Sequence, residues 1–195
     1  GISREVIVQS AAYVLGAIGV LFILYQNYNI FIGLEKQLYI ASIALLLSVY
    51  TPLGVEIFGA RSWINLGFTT IQPSEFVKVV FIIFIASMLY KDASTKRMLI
   101  TSILSAVFVL LLVASRDLGG ALLYFTTYLM LIFVTTGKRR YLGIGALGIG
   151  IASVAGYFLF SHVRTRVFAW LTPLADFDKK GYQICQSLFG IGTGG

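Results

Sequence analysis

The segment LGGALLYFTTYLMLIFV, from Leu118 to Val134, contains no charged residue. A helix needs about 20 mainly apolar residues to cross a bilayer. With its flanks this segment meets that length, and four more like it plus a glycine-rich one lie along the chain. On this template, spans are predicted at 7–25, 38–55, 74–90, 97–114, 118–136 and 141–160. The third holds Phe76, Val77, Val79, Val80, Phe81, Ile82, Ile83, Phe84 and Ile85. The sixth carries Gly143, Gly145, Gly148, Gly150 and Gly156, small residues that either permit close helix contact or are merely tolerated.

Composition agrees. Of the 195 residues, 58% are hydrophobic and 12% charged, and the mean hydropathy is +0.89. Soluble domains carry about 25% charge, so too little polar surface is available to face water on all sides. The predicted fold is all-α, a polytopic bundle of about six spans forming a single membrane domain over 1–195. The formal charge of +7 sits mostly in short gaps between apolar runs. That placement points to membrane topology and anionic lipid head groups, not to nucleic acid. Cys185, the one cysteine, cannot form an internal disulfide. No cleavable leader is visible at Gly1, and the missing initiator Met reads as a piece of a longer chain.

Lys91, Lys96 and Arg97 separate the third and fourth spans; Lys138, Arg139 and Arg140 separate the fifth and sixth. With Lys36 they mark the cytoplasmic side. Segments 56–73, 115–117 and 161–195 then face outward, although the last also carries Arg164, Arg166, Lys179 and Lys180. Residues 161–182 read as a large extracytoplasmic loop of the functional or disordered kind. Tyr182 to Ile191 is apolar again and reads as the start of a further helix.

Glu75 and Lys78 stand at i and i+3 within the third span, on one face. Charges so placed usually face a bundle interior or a wet cavity. They form an internal ion pair that fixes packing, or they line a polar cavity. Pro73 suits the first turn, and Ser74 is the predicted cap. Asp117, in Arg116-Asp117-Leu118-Gly119-Gly120, reads chiefly as a helix cap. Between Arg164 and Gln183 lie guanidinium groups, carboxylates and aromatic rings. They suit phosphate recognition and general-base chemistry, or equally an interfacial helix anchored by Phe168 and Trp170. His162 reads as interfacial. No spacing of His, Cys or carboxylates predicts a protein-built metal site, and no P-loop or dinucleotide motif is present.

Taken together, these segments resemble the SEDS family, the RodA/FtsW/SpoVE proteins of bacterial growth, division and sporulation. Gly59-Ala60-Arg61-Ser62-Trp63-Ile64 resembles GAxRWI. Gln72-Pro73-Ser74-Glu75 with Lys78 matches QPSExxK, and Asp117-Leu118-Gly119 the core of QPDLGTAL. Arg166-Val167, Pro173, Asp176, Gly181-Tyr182-Gln183 and Gln186-Ser187 follow RVxxxLDPxxDPxGxGYQxxQS, and Ile191–Gly195 is similar to IGSGG. The chain departs at Ser62, where the pattern has arginine, at Ser115-Arg116 for Gln-Pro, at Thr172 for Asp and at Phe177 for Pro.

The resemblance implies a fold of about ten helices, of which this chain holds the second to seventh and most of the large outer loop. By itself such a piece is expected to be inactive. It also implies a peptidoglycan glycosyltransferase of the bacterial cytoplasmic (inner) membrane. Such an enzyme polymerises lipid II, releases undecaprenyl pyrophosphate and works with a class B penicillin-binding protein. Asp176 corresponds to the catalytic carboxylate, the base on the acceptor hydroxyl. Arg166, Lys179, Lys180, Glu75, Lys78 and Gln72 are the substrate-binding candidates. Countercharge for the pyrophosphate comes from these cations or from a divalent cation, Mg or Mn; no organic cofactor is implied. A flippase for lipid-linked precursor and a non-catalytic scaffold for a transpeptidase are the alternatives.

Overall fold

The computed structural model describes residues 4–25, 33–57, 59–67, 69–90, 94–172 and 182–193. Eight helices run α1 (Arg4–Tyr25), α2 (Glu35–Leu47), α3 (Pro73–Tyr90), α4 (Thr95–Ala114), α5 (Leu118–Thr136), α6 (Arg140–Leu159), α7 (Ser161–Leu171) and α8 (Tyr182–Gly192). Between α2 and α3 lie a 3-10 turn (Ser48–Tyr50) and strands β1 (Gly54–Ile57), β2 (Ala60–Asn65) and β3 (Thr70–Ile71). Helices α3 to α6 are each long and apolar enough to cross a membrane. In α1 the apolar stretch is Val6–Phe22.

One boundary differs from expectation, and another decides between two readings. The predicted span 38–55 ends as a helix at Leu47, giving about 20 Å of helix at 1.5 Å per residue. Pro52 explains the stop. It lacks an N–H and drives the preceding residue out of the α region, and Thr51 is extended at φ −75°, ψ 171°. The chain then turns into an antiparallel sheet of order β1-β2-β3, an element the hydropathy pattern does not disclose. Gly54 opens β1 against the 3-10 turn, where a Cβ would collide with the Val49 carbonyl. The second concerns residues 161–182, read both as a loop and as an interfacial helix: α7 makes Ser161–Leu171 helical, as the second of these readings has it. The expected helix at Tyr182 is present as α8.

The core is aromatic. Phe81, Phe108 and Tyr124 are fully buried on α3, α4 and α5. Phe81 lies 5.1 Å from Phe108 and 4.9 Å from Tyr124, and Tyr39 of α2 meets both Phe84 and Phe108 at 5.3 Å. Edge-to-face and tilted rings at these separations add to simple burial. Helix α6 packs on α5 through Gly145, where a Cβ would overlap the Leu129 side chain, whereas Gly143 and Gly150 face open space. Only part of the glycine run therefore serves contact.

The packing sorts the connections onto two ends. At one end the Arg97 guanidinium donates to the Met88 carbonyl (3.1 Å), joining α4 to the end of α3. Tyr128 of α5 lies 2.6 Å from Ser102 and 3.3 Å from Thr101 near the start of α4, on the same side. Residues 94–97 and 137–140 therefore share that end. At the other, the Arg61 amide donates to the Ser115 carbonyl (2.9 Å), placing the sheet beside the α4–α5 turn. This partition matches the one drawn from the loop charges. Cysteine introduced at Leu66 is expected to react with an impermeant thiol reagent added outside intact cells, and cysteine at Ser94 is not. Labelling at 94 but not at 66 would invert the topology.

Candidate functional site

Three segments far apart in sequence converge where α3 and α5 begin. Pro73 occupies the first position of α3, where its missing N–H leaves nothing unsatisfied. Ser74 lies inside that first turn and is buried, so it is not the predicted cap. Its carbonyl accepts from the Tyr124 hydroxyl at 2.7 Å. Asp117 caps α5 as expected: one carboxylate oxygen accepts from the Gly120 amide at 2.9 Å. The other accepts from Gln72 Nε2, also at 2.9 Å. The carboxylate thus fastens α5 to the residue before α3. Sequence reasoning gave Asp117 only the cap, because a contact spanning 45 positions leaves no periodic trace.

Lys78 Nζ lies 2.9 Å from both carboxylate oxygens of Glu75. The two are paired, as the i, i+3 spacing predicted. The expectation that they face the interior is not met within this chain: the Glu75 side chain is 60% exposed and that of Lys78 23%. They lie on an open flank of α3, because the first turn turns Val77 and Phe81 to the core and leaves Glu75 and Phe76 outward.

Arg61, one place before the arginine of the GAxRWI pattern, has a local role. The β1–β2 register slips between Val55 and Ile57, a bulge that re-aims side chains. Ser62 is buried, and the neighbouring Arg61 reaches back over the 3-10 turn. Its guanidinium donates to the Val49 carbonyl (3.1 Å) and the Thr51 carbonyl (3.3 Å), satisfying groups freed where α2 ends. Ser62, Ser74 and Ser115 share a small cleft with Leu46, Val49, Leu111 and Leu112.

Arg166 is exposed on α7, and among the described residues no hydrogen bond or ion pair joins it to Gln72, Glu75 or Lys78. Asp176, Lys179 and Lys180 lie outside the described residues, as does the His162 side chain. Phe168 and Trp170 are exposed on α7, as an interfacial helix requires. Among the described residues no three His, Cys, Asp or Glu side chains converge, so these do not build a cage for Mg or Mn.

The FtsW/RodA/SpoVE family pattern, described as "Cell cycle protein", matches residues 4–195. RodA of Mycobacterium tuberculosis (strain H37Rv), a peptidoglycan glycosyltransferase, is 35% identical over 87% of this chain and 39% of its own length. Stage V sporulation protein E of Bacillus subtilis is 32% identical over 93% of this chain and 51% of its own. Among solved structures, a chain of a peptidoglycan synthase complex that coordinates polymerization and crosslinking aligns with a TM-score of 0.66. It is 32% identical and covers 92% of this chain and 54% of its own. Thermus thermophilus RodA aligns with a TM-score of 0.61 at 31% identity, over 73% of this chain and 48% of its own. The chain spans about half the length of the relatives it matches, or less.

Proposed function

This chain belongs to the FtsW/RodA/SpoVE family and is a multi-pass membrane protein, and from that premise we propose that it forms part of a peptidoglycan glycosyltransferase of the bacterial inner membrane. The substrate is lipid II, and the partner is a class B penicillin-binding protein. The observation that carries the reading is the junction at the outer end. Gln72, Asp117 and the Glu75–Lys78 pair come from the two family motifs, and the fold brings them together.

In this reading the acceptor sugar hydroxyl attacks the anomeric carbon of the donor. Asp176 takes the hydroxyl proton, a β-1,4 bond forms, and undecaprenyl pyrophosphate leaves. A positioned general base contributes about 10²–10⁴-fold. Arg166, Lys179 and Lys180 offset the charge that develops on the pyrophosphate; a divalent cation would arrive on the pyrophosphate itself. The Gln72–Asp117 bond fixes the starts of α3 and α5, and on that floor Glu75 and Lys78 line a cavity completed by the rest of the protein. An ion pair at a membrane flank is expensive unless it meets water or polar substrate, which favours that role over packing alone.

The reading is tested by incubating the purified full-length protein, with its transpeptidase, with lipid II. Glycan strands are the expected product. Transbilayer movement of lipid II without polymer would replace the enzyme by a flippase.

A further inference from the structure

Arg116 is the one non-glycine residue with positive φ among those described, at φ 61°. The cause lies at the end of α4. The Asp117 amide donates to the Leu112 carbonyl (2.9 Å) and the Arg116 amide to the Val113 carbonyl (3.0 Å). This pairing closes a helix through a left-handed residue, a position that glycine fills most easily. The end of α5 follows that rule, with Gly137 left-handed at φ 67°. At the end of α4 the chain keeps an arginine despite the steric penalty. The family pattern has Pro here, whose ring holds φ near −65°, so this turn departs from it. Strain retained where a cheaper residue exists points to a role for the side chain.

The surroundings narrow that role. Arg116 is exposed beside Asp117. That carboxylate already accepts from Gly120 and Gln72. Lys78 is held by both oxygens of Glu75, and Arg61 by the Val49 and Thr51 carbonyls. Among the described residues of this junction, Arg116 is the cation whose side chain makes neither an ion pair nor a hydrogen bond. A guanidinium forks onto phosphate oxygens in a bidentate manner.

We infer that Arg116 binds a phosphate of the lipid-linked pyrophosphate at the outer end of α4 and α5. The inference rests on the glycosyltransferase reading and adds to it a contact at a position where the chain departs from the family pattern. Phospholipid head groups offer the same chemistry, so both sources enter the test. The full-length protein in neutral detergent is titrated with undecaprenyl pyrophosphate and, separately, with phosphatidylglycerol. Arg116→Gly relaxes the backbone, so its melting temperature is expected to hold or rise. Its affinity for undecaprenyl pyrophosphate should fall about tenfold or more, as loss of a charged hydrogen bond implies, with phosphatidylglycerol unaffected. Arg116→Lys should fall between.

Unchanged affinity of Arg116→Gly for undecaprenyl pyrophosphate overturns the inference. An equal loss on phosphatidylglycerol also overturns it, by assigning the contact to the bilayer. If the unaltered protein binds undecaprenyl pyrophosphate no better than phosphatidylglycerol, the glycosyltransferase reading falls as well. Persistence of that preference in Arg116→Gly removes Arg116 alone.

Discussion

Asp117→Ala is expected to destabilise the full-length protein by about 2–4 kcal/mol. The substitution removes the cap of α5, worth about 1 kcal/mol, and leaves the half-buried Gln72 amide without its acceptor, a further 1–3 kcal/mol or so. Both losses fall on one carboxylate, because its two oxygens serve the Gly120 amide and Gln72 Nε2. Asp117→Asn separates them. Its side-chain oxygen can still cap α5, but its NH₂ group opposes the Gln72 donor unless Gln72 flips its own amide. Asn should therefore lie between wild type and Ala. Thermal unfolding in detergent with fluorescence detection reads the order. A melting temperature for Asp117→Ala equal to wild type would show that the α3–α5 junction holds without the Gln72–Asp117 bond, through the contacts of Tyr124 with Ser74 and Phe81.

The sequence discloses the helices of this protein better than its junctions. Apolar runs such as Leu118–Val134 have length and uniformity in their favour, and α3 to α6 fall within a few residues of expectation. The α2 boundary was missed because hydropathy does not register Pro52, and β1–β3 because apolar residues such as Val55, Ile57 and Trp63 suit strand and membrane helix alike. Helix α7 was half legible: Phe168 and Trp170 suggest an interfacial helix, while the charges of Arg164 and Arg166 suit a loop equally, although they line an exposed helix face. At the candidate site, the Glu75–Lys78 pair was legible because i, i+3 spacing is local. The bonds from Gln72 to Asp117 and from Tyr124 to Ser74 were not, since they join positions 45 and 50 residues apart. The role of Arg61 could not be read from spacing either, as it depends on a bulge and on carbonyls freed by the end of α2.

The central claim is chemical, and Asp176 carries it. In the family pattern this Asp stands three residues after Pro173 and five before Gly181. Asp178 has no counterpart in that pattern and precedes Lys179 and Lys180, which suits a solvated partner of those lysines. Asp176→Asn keeps the shape of the side chain and removes its basicity. The most direct measurement is lipid II polymerisation by the full-length protein with its transpeptidase, comparing Asp176→Asn and Asp178→Asn. A general base is worth about 10²–10⁴-fold, so Asp176→Asn should abolish detectable glycan synthesis while protein level and lipid II binding persist, and Asp178→Asn should retain most activity. Near-normal synthesis by Asp176→Asn would contradict the account and remove Asp176 from the mechanism.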